Sequence, residues 1–380
     1  MKKLSFFSLL VCFAALVVAF NLPGKNAKDE SCTLKVKWIK SYPREHWRNV
    51  REGLRWTFSY LGATLPAGSF DKVVSPSDSS EFIIDFARLG FSSQALQAFR
   101  QIIEPIKSSE YYRKNKYFDL SRLVAMLVGN SDNYYAITGA ALTLNDFEKR
   151  HRFKNALSYG VTHSAVARHH RIVKFNPDTS DLSDFAFLAL EGEGDLFKGS
   201  FKPVVYEAFD VMVNGQIRFA VYDEAGKLIS GSPNHLGNAG KPAKCLWCHE
   251  INILPLYVPN EQVNGFLSNE AFELWRSAFQ RKLDQYRMRL NDDIDFSLTK
   301  DHTFMEMLYI SFMEPSLDRI MNEWGYTKED VISKMGGAPD HVYEEFPEMG
   351  RLYYRYYVDS VAGIYDLNTP VSVRELVNGI

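Results

Sequence analysis

Apolar residues recur along the chain with two different periods. Trp47, Val50, Leu54, Phe58 and Leu61 step by three and four, which places them on one face of a helix. Phe82, Phe86 and Leu89 follow the same spacing, and Gly90 stands where a helix-ending glycine belongs. Ser92 is placed to cap a next helix carrying Leu96, Phe99 and Ile103, which Pro105 is expected to stop. Residues 120–128 predict another helix. The period then becomes two. Residues 204–213 are rich in β-branched and aromatic side chains, and Ile217, Phe219 and Val221 alternate with Gln216, Arg218 and Ala220. Asn214-Gly215 between these runs predicts a tight hairpin with both turn residues at positive φ. A second turn falls at 223–227, and Leu228-Ile229 starts a third strand. Helical spacing returns with Phe272, Trp275, Phe279, Leu283, Tyr286 and Leu290. The other face of that helix carries Arg276, Arg281, Lys282, Asp284 and Arg287 and reads as solvated. Residues 303–313 are apolar nearly all round, so their helix should be buried. Thr327 opens a short capped helix ending at Gly336-Gly337. The expected class is α+β, mostly helical, with a small antiparallel sheet over about residues 200–230.

These patterns divide the chain into a leader or anchor (1–20), a polar tether (21–35), a helical region (36–175), a strand-rich region (176–265) and a C-terminal helical region (266–380). With 46% hydrophobic and 14% aromatic residues, a disordered chain is excluded. Lys and Arg number 44 against 46 Asp and Glu, so no basic surplus is present and nucleic acid is not expected as a partner. Met1-Lys2-Lys3 followed by an apolar run over residues 4–20 reads as an export signal, and a retained membrane anchor through the same run is the alternative. Either places the body of the protein outside the cytoplasm, in the periplasm or cell envelope. Cys12 lies inside that run after Val11 and is unsuited to lipidation. Four cysteines exclude a disulfide scaffold. Cys32 is expected to be an unpaired surface thiol.

The remaining two cysteines share one motif. Cys245-Leu246-Trp247-Cys248-His249 has the C-x-x-C-H spacing of c-type haem attachment. Two thiols one backbone turn apart can reach the two vinyl groups along one haem edge, and the adjacent histidine is then held beneath the iron. From this chain's own usage the motif arises by chance roughly once in a thousand sequences. On these residues the chain resembles c-type cytochromes and related c-type haem proteins. The strand-rich run leading into the motif looks more like cytochrome P460-type or β-sheet cytochrome c′ proteins than like small helical cytochromes, although 131 residues follow His249. The resemblance implies one covalent haem c on Cys245 and Cys248, with His249 as proximal ligand. It further implies electron transfer or the haem domain of an envelope redox system, and a redox partner protein or a small ligand. Two other chemistries fit the same residues. Cys245, Cys248 and His235 or His249 supply most of a structural zinc set, and Cys245 with Cys248 forms the C-x-x-C of a thiol–disulfide oxidoreductase.

The sixth position of such a haem has several candidates. Met288, Met305, Met307 and Met313 lie at suitable distances along the chain, and His235 sits in a Gly-Ser-Pro-Asn-His-Leu-Gly loop that could reach over it. An open site is the remaining choice. His163, His169 and His170 form a second cluster that reads as surface, beside Arg168 and Arg171. Residues 191–195 (EGEGD) read as a turn. Trp247 is expected near the haem edge, and Pro255 or its neighbours could offer a carbonyl to His249 Nδ1. No serine–histidine–acid set, P-loop, dinucleotide fingerprint or H-E-x-x-H is present, so neither hydrolytic nor nucleotide chemistry is expected.

Overall fold

A computed structural model describes residues 32–74, 80–164, 169–177, 184–236, 240–254, 259–290 and 292–362. The predicted leader or anchor at residues 1–20 lies outside them. No helix among the described residues is long and apolar enough to cross a membrane. Cys32 is buried rather than at the surface.

The first sheet joins β1 (Thr33–Lys37), β2 (Glu81–Asp85) and β3 (Phe118–Asp119) in the order β2-β1-β3, with β1 antiparallel to β2 and parallel to β3. Residues 33–35 of the predicted tether therefore belong to a strand, because Leu34 and Val36 bury their side chains there. The helix predicted from Phe82, Phe86 and Leu89 is instead β2 followed by a 3-10 turn over Phe86–Arg88. Phe82 and Ile84 face inward while Ile83 is exposed, a period of two that three widely spaced apolar residues do not reveal.

α1 (Trp47–Tyr60) buries its predicted face, and the short α2 (Ser69–Val73) follows. α3 (Ser93–Ser108) begins as expected, with Ser92 Oγ accepting from the Ala95 N–H at 3.1 Å. Pro105 does not stop it. The proline removes only the bond to the Gln101 carbonyl, and Gln101 is exposed, so water can replace that bond. Then come α4 (Glu110–Asn115), α5 (Leu120–Val128), α6 (Ser131–Thr138) and α7 (Leu144–His151).

β4 (Leu157–Val161), β5 (Arg171–Phe175), β6 (Ala186–Glu193), β7 (Lys202–Val211) and β8 (Ile217–Asp223) form a five-stranded antiparallel meander in sequence order. The predicted hairpin is its last two strands, so the sheet is larger than expected. Leu228-Ile229 adds only one bridge to Tyr222 and a 2.9 Å bond from Ile229 N–H to the Val221 carbonyl, not a strand. The β7–β8 turn also differs from expectation: Gly215 alone takes positive φ, at 77°. Gly215 N–H donates to the Met212 carbonyl at 2.9 Å, and Met212 N–H to the Gln216 carbonyl at 2.8 Å. This is a three-residue hairpin loop closed by a left-handed glycine.

The chain ends with α8 (Pro242–His249), α9 (Asn269–Arg287), α10 (Thr303–Met313), α11 (Leu317–Trp324), α12 (Lys328–Met335), the two-stranded pair β9 (Asp340–His341) and β10 (Leu352–Tyr353), and α13 (Arg355–Ala362). The structure is α+β, with thirteen α-helices among the described residues. α10 is buried on every side from Met305 to Met313. It crosses α1 so closely that a Cβ on Gly53 would stand 2.5 Å from the Phe304 carbonyl oxygen. Thr327 caps α12 through its Oγ1, as expected.

The solvated face predicted on α9 is only partly so. Arg287 is buried, its Nε donating to the Gly215 carbonyl at 2.9 Å, and burial pulls its guanidinium down to about 10. Arg276 Nη1 donates to the Ile253 carbonyl at 3.0 Å. Long basic side chains of this kind reach neighbouring carbonyls from a face that sequence reads as wet.

Candidate cofactor site

The register of the five-stranded sheet sets out one face in rows. Phe175, Phe187, Phe209 and Phe219 pair across four strands as an aromatic row. Val173, Ala189, Glu207 and Val221 form the next row, and Arg171, Glu191 and Val205 the third. This face therefore runs from aromatic to charged. α9 covers the aromatic end, with Phe279 against Phe175 and Phe187 at centroid distances of 5.6 and 5.4 Å.

α8 lies beside the same face. Its residues 245, 248 and 249 stand three and four positions apart, so one side of the helix carries both thiols and the imidazole. The motif is thus helical rather than a loop. Between the sheet and α8 is a cavity of about 900 Å³, open in part to solvent. Cys245, Cys248, His249 and Lys244 line it on one side, Phe187, Phe209, Phe219 and Val221 on the other.

Burial pushes the Cys245 thiol well above its ordinary value, and the nearby Glu207 and Cys248 push it further. Burial pulls His249 down to about 4, so its imidazole is neutral at neutral pH, the form that ligates metals. His249 lies against Phe209 and Phe219 at 5.7 and 5.4 Å, and its Nδ1 is buried without a hydrogen-bond partner. The Pro255 carbonyl expected to serve Nδ1 lies outside the described residues. After His249 the chain reverses through a tight turn, in which Asn252 N–H donates to the His249 carbonyl at 2.9 Å. Glu250 occupies its second position at φ 52°, ψ −117°, a conformation that ordinarily belongs to glycine. Its Oε1 stands 3.6 Å from Nε2 of the buried His302.

Several predicted site residues lie elsewhere. His235 is exposed and does not line the cavity. Met288 is 77% exposed, while Met305, Met307 and Met313 are buried in α10; none of the four lines the cavity. Trp247 points away from the cavity, edge-on to Tyr309 at 4.8 Å. His163 and His169 are exposed, in keeping with a surface cluster, and His170 Nδ1 accepts from Leu196 N–H at 3.0 Å. Glu191 is not in a turn; it is a buried strand residue. Among the described residues no three His, Cys, Asp or Glu side chains converge as a metal-binding group.

Sequence reading missed the charged end of the cavity. Arg171, taken for a surface residue, is buried and forms an ion pair with Glu191, which also accepts from Ser232 Oγ at 3.1 Å. Glu207 Oε2 lies 3.9 Å from Arg171. A signal was present for Glu207: it shares strand parity with Val205 and Phe209, so a charge falls on an otherwise apolar face. Comparison with models of protein families, with curated proteins and with solved structures finds no match.

Proposed function

We propose that this protein is an exported monohaem c-type protein, with one haem held covalently by Cys245 and Cys248 and with His249 on the iron. The observation that carries the reading is the placement of all three motif side chains on one side of α8, lining a cavity whose opposite wall is an aromatic sheet face. A neutral, half-buried imidazole lining that cavity suits a proximal ligand. Each thiol would add across a vinyl double bond, placing sulfur on one carbon and hydrogen on the other, with no leaving group. When bound, haem supplies a one-electron couple and an iron site. The sheet supplies low polarity on the aromatic side, and electrons pass to a redox partner protein of the cell envelope. Residues 4–20 would direct the export or hold the protein to the membrane.

A second reading, a haem that meets a small ligand, is favoured by one feature: neither a methionine nor a second histidine lines the described cavity. The test is expression in a cell able to attach haem, followed by mass measurement and spectra. The expected mass is that of the polypeptide plus one haem, with chromophore retained through denaturation. Cys245→Ala with Cys248→Ala should release it. Carbon monoxide should bind the reduced protein if the sixth position is open, and fail to bind in a six-coordinate carrier. Bare polypeptide from such a cell overturns the proposal.

A further inference from the structure

We infer that the charged end of the cavity is a binding site for a small inorganic oxyanion, held by Arg171 and Lys244. The haem reading enters only through what fills the rest of the cavity. Lys244 is 8% exposed, and its Nζ makes no hydrogen bond. Arg171 is equally buried, and its Nε has no acceptor. Lys244 is thus a buried cation without an acceptor, which is costly and is relieved when a ligand brings one, while Arg171, already paired with Glu191, keeps one N–H to offer.

The neighbouring groups leave that role open. Glu191 is engaged on both sides, by Arg171 and by the Ser232 hydroxyl. Glu207 has one carboxyl oxygen, Oε1, without a partner. Burial raises its carboxyl above the ordinary range, against the pull of Arg171. In its protonated form Glu207 is a third donor facing the same space. Two unpartnered donor nitrogens, Arg171 Nε and Lys244 Nζ, therefore belong to residues that line the cavity. Planar oxyanions such as nitrate or nitrite accept several hydrogen bonds within a small volume.

The carboxylates of a bound tetrapyrrole offer the same chemistry. They leave the ring on the edge opposite its vinyl groups. We assign the site to the free anion, and the haem-loaded arm of the test separates the two sources, because tetrapyrrole carboxylates seated there would exclude nitrate.

The test is calorimetric titration with sodium nitrate of the haem-loaded protein, and of protein made without haem attachment. One nitrate per chain is expected in both. Lys244→Met should weaken binding at least about tenfold, Lys244→Arg should retain it, and Glu207→Gln, which cannot become a carboxylate, should bind as tightly or tighter. Protein from a haem-attaching cell that binds nitrate but carries no covalent haem would sink the haem reading alone. Covalent haem with no nitrate bound, binding seen only in the haem-free protein, Lys244→Met as tight as the parent, or loss of binding in Glu207→Gln would each overturn the oxyanion site.

Discussion

Glu250 takes a backbone conformation that costs a side-chain-bearing residue on the order of 1–3 kcal/mol. Its carboxylate reaches His302, which burial holds below its ordinary value while Glu250 pulls the other way. Two substitutions separate backbone from side chain. Glu250→Ala loses the His302 contact and keeps the Cβ; Glu250→Gly loses both. Glu250→Gly is therefore expected to be the more stable variant by about 1 kcal/mol, read from urea unfolding. Equal stabilities would show that the turn relaxes without a glycine. The cysteines and His249 are legible in sequence because their chemistry is local, five consecutive residues on one helical turn. Arg171, Glu207 and Lys244 reach the cavity from two strands and a helix, and only the register brings them together.

The β7–β8 hairpin is fixed by a side chain as well as by its turn. Asn214 is buried and its Nδ2 donates to the Ser59 and Ala63 carbonyls, both at 2.8 Å. These carbonyls lie at and just beyond the end of α1, where helical partners run out. Asn214→Ala should destabilise the fold by about 1 kcal/mol, because the Ala63 carbonyl loses this donor while the Ser59 carbonyl keeps the Gly62 N–H; a loss below about 0.5 kcal/mol in denaturant unfolding would mean that water replaces it. Sequence reading placed this hairpin because Asn-Gly between alternating runs is a strong signal, but the buried role of Asn214 depends on α1, more than 150 residues earlier. Helices with sustained periodicity, α1, α5, α10 and α12, were legible for the same local reason. β5 and β6 were not. The first is five residues beside a histidine and arginine cluster, and the second (AFLALEGE) carries leucines and alanines that suit a helix equally well.

At the scale of the whole molecule, two buried carboxylates set the response to acid. Burial alone would raise Asp210, but Arg218 and the His151 hydrogen bond outweigh it and hold the carboxyl at about 2. Burial likewise opposes Glu323, which Arg355 and Arg319 bring to about 2. Each pKa is depressed in the folded state, so each contribution is fully present above the unfolded value near 4 and is lost as pH falls toward 2. About 2 kcal/mol from each should disappear over that window, measured by denaturant unfolding at stepped pH. Asp210→Asn should flatten the slope; an unchanged slope would show that other carboxylates govern it.

The lining of the cavity comes from one uninterrupted stretch, Arg171 to Arg276. The chain's outer portions are also joined to one another. Arg319 binds Asp119 and the Ile39 carbonyl, Ser316 and Ser311 meet Ser41, and Asn322 reaches Lys40. The long sequence on either side of the haem motif thus behaves as a frame whose ends clasp each other. Should one wish to carry the chemistry to another scaffold, the middle would have to bring α1 with it, because Asn214 binds the end of that helix.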